Sequence, residues 1–259
     1  MSPRRYLLGA STAGLGLAVA RALVTRGDEV AICGRSAYKL AGALALLGEI
    51  PGGGRAVGEV VDLTDPDAAA GWPARAAGLL DGPLSGVLVN TGGPAPRPFD
   101  ACTAQDWADG IAAVLTPAVT LARESRPLLE PAASVVFSTS TVVREPALSP
   151  DLVISACLRS AVATLAKVLS REWAPQVRVN HVVPGRIETD RVLTLDRVRA
   201  ERSGRTAEEV AADSHQAIPL GRYGEPGEFA AAVAWLLGPE SSYVSGATLP
   251  VDGGLLTGV

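Results

Sequence analysis

The chain has 259 residues, 47% of them hydrophobic, and a formal net charge of -4 at pH 7. Its arginines are scattered along the sequence, so no cluster of basic residues predicts binding to nucleic acid or to an anionic membrane. The apolar run after Arg4 and Arg5 is too short and too interrupted by glycine for a signal peptide or a membrane span. Three cysteines and two histidines make neither a disulfide framework nor a metal site, so no metal is predicted. We expect a cytoplasmic protein whose partners are small molecules.

Short apolar runs alternate with amphipathic stretches, and no Ser/Pro/Gly-rich linker interrupts them. Alternating strands and helices predict an α/β fold, with a doubly wound parallel sheet of seven strands and helices on both faces. We expect a single domain over residues 1–259. The predicted strands are RYLLGA, EVAICGR, RAVGEVVDL, GVLVNTGG, SVVFSTS, VRVNHVVPG and GATLPVDGG.

One polar, charged interval, residues 189–216, breaks this rhythm. It follows the strand that ends at Pro184-Gly185 and precedes the last helix. One interpretation is a solvated helical pair on the surface. The other is a mobile lid over a site at the strand ends, where such sheets bind ligands. The sequence favours the two interpretations about equally.

The segment YLLGASTAGLGLAVARALVTRG is typical of a strand, a glycine-containing turn and an amphipathic helix. Gly14 and Gly16 would let backbone N–H groups approach a pyrophosphate at the helix N-terminus. A tight turn without a ligand is the alternative. The second strand ends in ICGRS, so Arg35, with Ser36, stands where an acidic residue would hold a free ribose hydroxyl. An Arg at this point accommodates a 2'-phosphate, which predicts NADPH over NADH unless Arg35 is an ordinary exposed residue.

Several motifs occur in a characteristic order: GASTAGLG from Gly9 to Gly16, Asp62 in VVDLT, VNTG at 89–92, VRVNHVVPGRIET and VSGATLPVDGG. With them the chain resembles the short-chain dehydrogenase/reductase family from its first strand to its C-terminus. The resemblance implies a Rossmann-like fold, NADPH or NADP⁺ as cofactor, and a homo-oligomer, dimer or tetramer, assembled through helices near 103–129 and 151–173. The residues that it implies for cofactor binding are Gly9, Ser11, Thr12, Gly14, Leu15, Gly16, Arg35, Ser36, Asp62, Leu63, Asn90, Thr91, Gly92, Pro184, Gly185, Ile187 and Thr189.

The chain also departs from the family pattern. Ala10 replaces the first glycine of the turn, which is tolerable if φ stays negative there. The family's catalytic Asn aligns with Val114, its Ser with Ser140, and its YxxxK pair with Ile154 and Leu158, so only the serine remains. No tyrosine in the sequence has a lysine four residues later, and of the two lysines, Lys39 and Lys167, the second is predicted far from the active-site end of its helix.

Most of the side chains that contact the substrate are therefore expected to be apolar. Arg159 lies about 100° around the helix from Leu158, which favours a surface or interface cation. Arg186, directly after Pro184-Gly185, is the predicted cationic substrate contact, and Ser140 is given an orienting role at most. The predicted substrate-binding residues are Val114, Ser140, Ile154, Leu158 and Arg186.

Hydride transfer to a ketone can survive the loss of the tyrosine acid. General acid catalysis typically contributes about 10² to 10⁴ in rate, which is about 2.7 to 5.4 kcal/mol. Positioning the nicotinamide against the carbonyl can contribute about 7 to 11 kcal/mol, which is more. A substrate phenol peri to the ketone can supply the missing hydrogen bond. Our hypothesis is an NADPH-dependent ketoreductase of polycyclic aromatic ketones of the angucyclinone type, in antibiotic biosynthesis. The alternatives are an inactive NADP-binding scaffold or sensor subunit, or an acid from the lid such as Asp190, Asp196 or His215.

Overall fold

The computed structural model describes residues 3–258, the side chain of Leu148 excepted. All seven predicted strands are present in it and form one parallel sheet in the order β3-β2-β1-β4-β5-β6-β7. The central strands are almost completely buried because helices cover both of their faces. The strands are β1 (Arg5–Leu8), β2 (Glu29–Gly34), β3 (Ala56–Val60), β4 (Leu84–Val89), β5 (Leu129–Ser138), β6 (Val177–Pro184) and β7 (Thr248–Val251).

Helices pack on both faces of the sheet, and the predicted single-domain, doubly wound fold is confirmed. One apolar core contains residues of α3, α5 and α6, and a second core on the other face contains residues of α1, α2 and α9. The helices are α1 (Gly14–Thr25), α2 (Ala37–Gly48), α3 (Pro66–Leu79), α4 (Ala104–Gly110), α5 (Thr116–Ser125), α6 (Val153–Glu172), α7 (Asp190–Ser203), α8 (Ala207–Ala217) and α9 (Pro226–Leu237).

The longest helix, α6, is long and apolar enough to cross a membrane by composition alone. Its main apolar stripe faces the sheet, however, although Val168 is exposed. Ile154, Leu158, Val162, Ala166 and Leu169 are all buried and form one stripe, at intervals of three or four residues, against the sheet. We therefore interpret α6 as a core helix, and its first turns reach the edge of the sheet where β5 ends.

The polar interval at 189–216 folds into α7 and α8, which contact each other. Thr189 caps α7, and Gly204 ends it with φ +66°. Thr206 and Glu209 form a capping box at the start of α8. The helical pair that both interpretations required is thus present, and it lies beside the carboxyl ends of the strands.

Candidate active site

A cavity of about 400 Å³ opens where β1, β4, β5 and β6 end. This is the edge at which parallel sheets with helices on both faces bind ligands, and the volume is within the range of small-molecule sites. The cavity extends from the glycine turn, past the ends of β4 and β5 and the start of α6, to α7. Its lining includes Gly14, Leu15, Asn90, Thr91, Gly92, Ser140, Pro184, Gly185, Arg186, Ile187 and Thr189 from the predicted site, and also Lys39, Gly93, Ser155, Arg159, Asp190, Arg191 and Arg199.

The glycine turn at the start of α1 has the shape that an anion needs. Gly14 has φ +55°, and a β-carbon on it would contact only Thr189, at 3.7 Å. The helix has no side-chain N-cap and no acidic residue in its first turn, so its first N–H groups are left for another acceptor. Gly16 lets the first turn of α1 pack closely on Ser11, because a β-carbon at position 16 would lie 2.3 Å from Ser11 Oγ.

Ala10 has φ +46°. The condition under which the alanine would be harmless, a negative φ, is therefore not met. An L-residue with a β-carbon pays a steric cost in the left-handed region. The turn is held there by neighbours: Asn90 Nδ2 donates to the Ala10 carbonyl at 3.1 Å, and Ser11 N donates to the Cys33 carbonyl at 2.9 Å.

The end of β2 carries the residues predicted to choose the cofactor. Arg35 is exposed and lines a second cavity with Thr64, Ala113 and Ile154. Ser36 caps α2, since its Oγ accepts from Lys39 N. Burial raises the pKa of Asp62, but hydrogen bonds from Thr64 and the charge of Arg35 outweigh it and leave the pKa low. Arg35 and Asp62 are thus close, with an open cavity beside Arg35.

The structure does not bring Ile154 and Leu158 into the cavity at the strand ends. They are only 3% and 7% exposed and belong to the core under α4. A β-carbon on Gly110 would lie 2.5 Å from Ile154 Cγ2 and 3.1 Å from Leu158 Cδ1, so both side chains pack directly on that glycine. Val114 is fully buried in the same core. None of these three residues lines the cavity at the strand ends.

The cavity instead receives the next pair on the helix, Ser155 and Arg159. Arg159 Nε donates to Ser155 Oγ at 3.2 Å, and Nη2 donates to the Gly92 carbonyl at 2.9 Å. Nη1 makes two long contacts, to the Ser138 and Thr139 carbonyls at 3.4 and 3.5 Å. The prediction of a surface or interface cation at position 159 is wrong. Arg159 lies one residue after Leu158 on α6, and this rotation about the helix axis turns its side chain toward the ends of β4 and β5.

Arg159 remains a cation at neutral pH. Burial, and then the charge of Arg191, lower its pKa to about 10. Arg191 Nη2 donates to the Pro94 carbonyl at 2.7 Å, and both guanidinium groups lie against Gly93, 3.2 and 3.3 Å from the position of a β-carbon. Among the described residues neither arginine has a carboxylate within hydrogen-bond distance.

Arg186 does line the cavity, but its guanidinium is already engaged. It forms an ion pair with Asp196, which is 2% exposed, and lies over the ring of Tyr223 with its central carbon 5.1 Å from the centroid. Tyr223 Oη donates to the second oxygen of Asp196 at 2.8 Å. His215 stacks edge-on against Tyr223, 4.5 Å between centroids. This cluster fastens α7 and α8 to the end of β6, and it removes Asp196 as a free acid.

Further contacts attach α7 to the loops around the cavity. Arg199 pairs with Asp151 at 3.0 Å, and Arg202 donates to the Pro96 carbonyl at 2.8 Å. Asp190, in the first turn of α7, is the one lid candidate for an acid that reaches the lining among the described residues. The helix α7 therefore forms one wall of the cavity in this conformation.

Two further polar groups lie outside the cavity. Lys167 donates to the Gly246 carbonyl at 2.8 Å and does not line the cavity, in agreement with its position far along α6. His181 is buried on β6 between Thr139 and Thr248, and burial, with the charge of Arg144, lowers its pKa to about 4. Within residues 3–258 there is no group of three or more His, Cys, Asp or Glu residues suited to a metal ion.

These features define a nucleotide-binding α/β protein with a small-molecule cavity at the strand ends. The family model described as enoyl-(acyl carrier protein) reductase matches residues 9–256. An uncharacterised oxidoreductase of Mycobacterium tuberculosis is 32% identical over 93% of this chain and 88% of its own length. A galactitol 2-dehydrogenase of Cereibacter sphaeroides is 32% identical over 93% and 90%. The chain belongs to the short-chain dehydrogenase/reductase family.

Solved structures give the same result. An actinorhodin polyketide ketoreductase with NADPH superposes with a TM-score of 0.90, at 25% identity and over 98% of this chain and 97% of that one. A short-chain oxidoreductase of Pseudomonas aeruginosa, described as containing an atypical catalytic center, has a TM-score of 0.86 at 27% identity, over 99% and 98%. An NADPH-dependent reductase of bacilysin biosynthesis has a TM-score of 0.90 at 21% identity over the full length of both chains, and supports the fold.

Proposed function

We propose that the protein is an NADPH-dependent ketoreductase whose substrate is a polycyclic aromatic ketone of the angucyclinone type, in antibiotic biosynthesis. The observation that carries the proposal is the single cavity that joins the glycine turn of α1 to Ser140 and Ser155. A site of this extent accommodates a cofactor end and a substrate side by side. The similarity to a polyketide ketoreductase along almost the whole chain supports the reaction class.

The residues present fit NADPH, which supplies a hydride when bound. The uncapped start of α1 and the open space beside Gly14 suit the pyrophosphate. Asn90, Thr91 and Gly92 line the cavity between that turn and the ends of β5 and β6, where Pro184, Gly185, Ile187 and Thr189 would seat the nicotinamide end. Asp62 and Leu63 would hold the adenine end.

The NADPH preference is assigned to Arg35. Its exposed guanidinium, beside the second cavity, can form charge-assisted hydrogen bonds to a 2'-phosphate. Ser36 can add a hydroxyl donor from the start of α2. Lys39, near the start of α2, lines the cavity at the strand ends and adds a further positive charge.

The substrate is proposed to carry its own proton donor. Of the described residues in the lining, none is a tyrosine, and the hydroxyls of Ser140 and Ser155 are weak acids. In a peri-hydroxy aromatic ketone the phenol already donates to the carbonyl oxygen, and its proton can pass to the alkoxide as the ketone carbon is reduced. Exclusion of water by Leu152, Val192 and Leu195 would strengthen that internal bond.

The test uses purified protein, NADPH and two probes, α-tetralone and its peri-hydroxy derivative. We expect loss of nicotinamide absorbance with the hydroxylated ketone, at least tenfold faster than with α-tetralone, and little change in Ser140→Ala. Equal rates with both ketones would refute substrate assistance. Tight NADPH binding with neither ketone consumed would favour the alternative, an inactive NADP-binding scaffold or sensor subunit.

We also propose a cytoplasmic homo-oligomer, a dimer or tetramer, as is typical of the family. The segments 103–129 and 151–173 carry three exposed apolar side chains, Ile111, Val119 and Val168, which are 42%, 38% and 53% exposed. Sedimentation velocity on the wild type and on Val168→Asp would test the assignment of that surface.

A further inference from the structure

Arg159 has hydrogen-bonding capacity left over in the cavity. A guanidinium has five N–H donors. Four contacts are present, and the two from Nη1 are near the limit of hydrogen-bond length. The second N–H of Nη2 is left without a partner among the described residues. A desolvated cation held mainly by neutral carbonyls is costly unless a further acceptor binds it.

The position of this guanidinium is fixed from two sides. Ser155, 5% exposed and one turn earlier on α6, accepts from Nε, and the Gly92 carbonyl at the end of β4 accepts from Nη2. Arg159 and Arg191, the latter from α7, both lie against the next residue, Gly93. The two cations therefore create a positive potential at one point of the cavity wall, and the backbone on that side offers no β-carbon to block access.

A peri-hydroxy ketone is well matched to such a group. Its carbonyl and phenol oxygens are neighbours in one plane, so they can accept from the unpartnered N–H of Nη2 and from Nη1, whose present contacts of 3.4 and 3.5 Å are weak. Reduction of the ketone places negative charge on these two oxygens. A donor that is already oriented toward the developing charge costs no reorganisation during the reaction.

We propose that Arg159, oriented by Ser155, is a catalytic residue that binds the carbonyl and phenol oxygens of the substrate and stabilises the phenolate formed in the reaction. The inference rests on the proposed function. The ketone carbon gains the hydride from NADPH, and the C=O π electrons move to oxygen. The phenol proton passes to that oxygen and gives the alcohol. The phenolate left behind is held by Arg159 and regains a proton from water, while NADP⁺ is the oxidised product.

The decisive measurement is the ionisation of the bound phenol, which does not require turnover. The absorbance of peri-hydroxy-α-tetralone is titrated against pH in the presence of excess protein and NADP⁺. The variants are Arg159→Met, Arg159→Lys and Ser155→Ala. The matched control is Arg171→Met, an exposed arginine on the same helix. Circular dichroism establishes that each variant is folded, and fluorescence titration gives its dissociation constant for NADPH.

The wild type and Arg171→Met are expected to lower the pKa of the bound phenol by at least one unit relative to Arg159→Met. Arg159→Met should also lose about 10² to 10³ in kcat, as for removal of an oxyanion donor, with NADPH affinity changed less than threefold. Arg159→Lys should retain part of both effects, and Ser155→Ala should lose less than Arg159→Met.

An unchanged phenol pKa in Arg159→Met would overturn the inference. So would a loss of NADPH affinity equal to the loss in kcat/KM, because Arg159 would then be a cofactor-positioning residue. These results differ from a failure of the proposed function. If the wild type reduces neither ketone, the proposed function is wrong, yet the phenol titration still reports whether Arg159 binds the two oxygens.

Discussion

Replacing Ala10 by Gly should stabilise the protein. Ala10 has φ +46° in the turn before α1. A left-handed L-residue costs about 1–2 kcal/mol relative to the right-handed region, whereas glycine has no such strain. The extra freedom of glycine in the unfolded chain offsets about 0.4–1 kcal/mol of this. We therefore expect a net gain of about 0.5–1 kcal/mol, which is a rise in Tm of about 1–4 °C for a domain of this size.

The assay is urea unfolding followed by circular dichroism, with Ala13→Gly as the matched control. Ala13 lies in the same turn but has φ -160°, an extended conformation that alanine adopts without strain. Glycine at position 13 should therefore only destabilise, by about 0.4–1 kcal/mol. If Ala10→Gly lowers the free energy of unfolding as much as Ala13→Gly does, the argument from backbone strain is refuted.

Three further predictions concern charge. Arg35→Ala should raise the dissociation constant of NADPH about 10- to 100-fold and leave that of NADH unchanged, because one charge-assisted hydrogen bond is worth about 1.5–3 kcal/mol. Calorimetric titration with each cofactor measures both constants. An equal change in the two constants would show that Arg35 does not contact the 2'-phosphate. Asp196→Ala should cost about 3–5 kcal/mol, because it leaves Arg186, whose side chain is 15% exposed, without its ion-pair partner. Asp213→Ala, in an exposed ion pair, should cost less than about 1 kcal/mol, and urea unfolding measures both variants. Burial holds the pKa of His181 at about 4, so the unfolded chain binds the imidazole proton more tightly than the folded chain does. The free energy of unfolding should therefore fall by about 3 kcal/mol as the pH drops from about 6.5 to 4. A His181→Gln variant with the same pH profile would contradict this.

The sequence predicted the architecture well because its signals were local and repeated. Each strand was a short apolar run of the length that a buried parallel strand needs, and each was followed by a helical pattern or a turn. The Gly9 to Gly16 turn and the PG pair at 184–185 then identified the edge that carries the site. Both segments line or support the same cavity.

Other features depended on tertiary geometry. The φ of Ala10 is set by hydrogen bonds between β1, β2 and β4, which no local pattern encodes. Arg186 lines the cavity, but its partner Asp196 lies ten residues further on in α7, and Tyr223 lies beyond α8. A cation beside an active site and a cation in a buried ion pair have the same signature in sequence, and only the fold distinguishes them.

The assignment along α6 shows how small an error changes the chemistry. Residues 154 and 155 differ by about 100° around the helix axis, which here is the difference between the core and the cavity. The sequence contained the signal that settles the register: Ile154, Leu158, Val162, Ala166 and Leu169 form the apolar stripe, so the helix must bury these positions. Once Ile154 packs on Gly110, its neighbour Ser155 is carried to the cavity wall, and Arg159 follows one turn later. The wall that hydrocarbon was expected to form is therefore built from a hydroxyl and a cation, and any mechanism for this protein has to account for that charge.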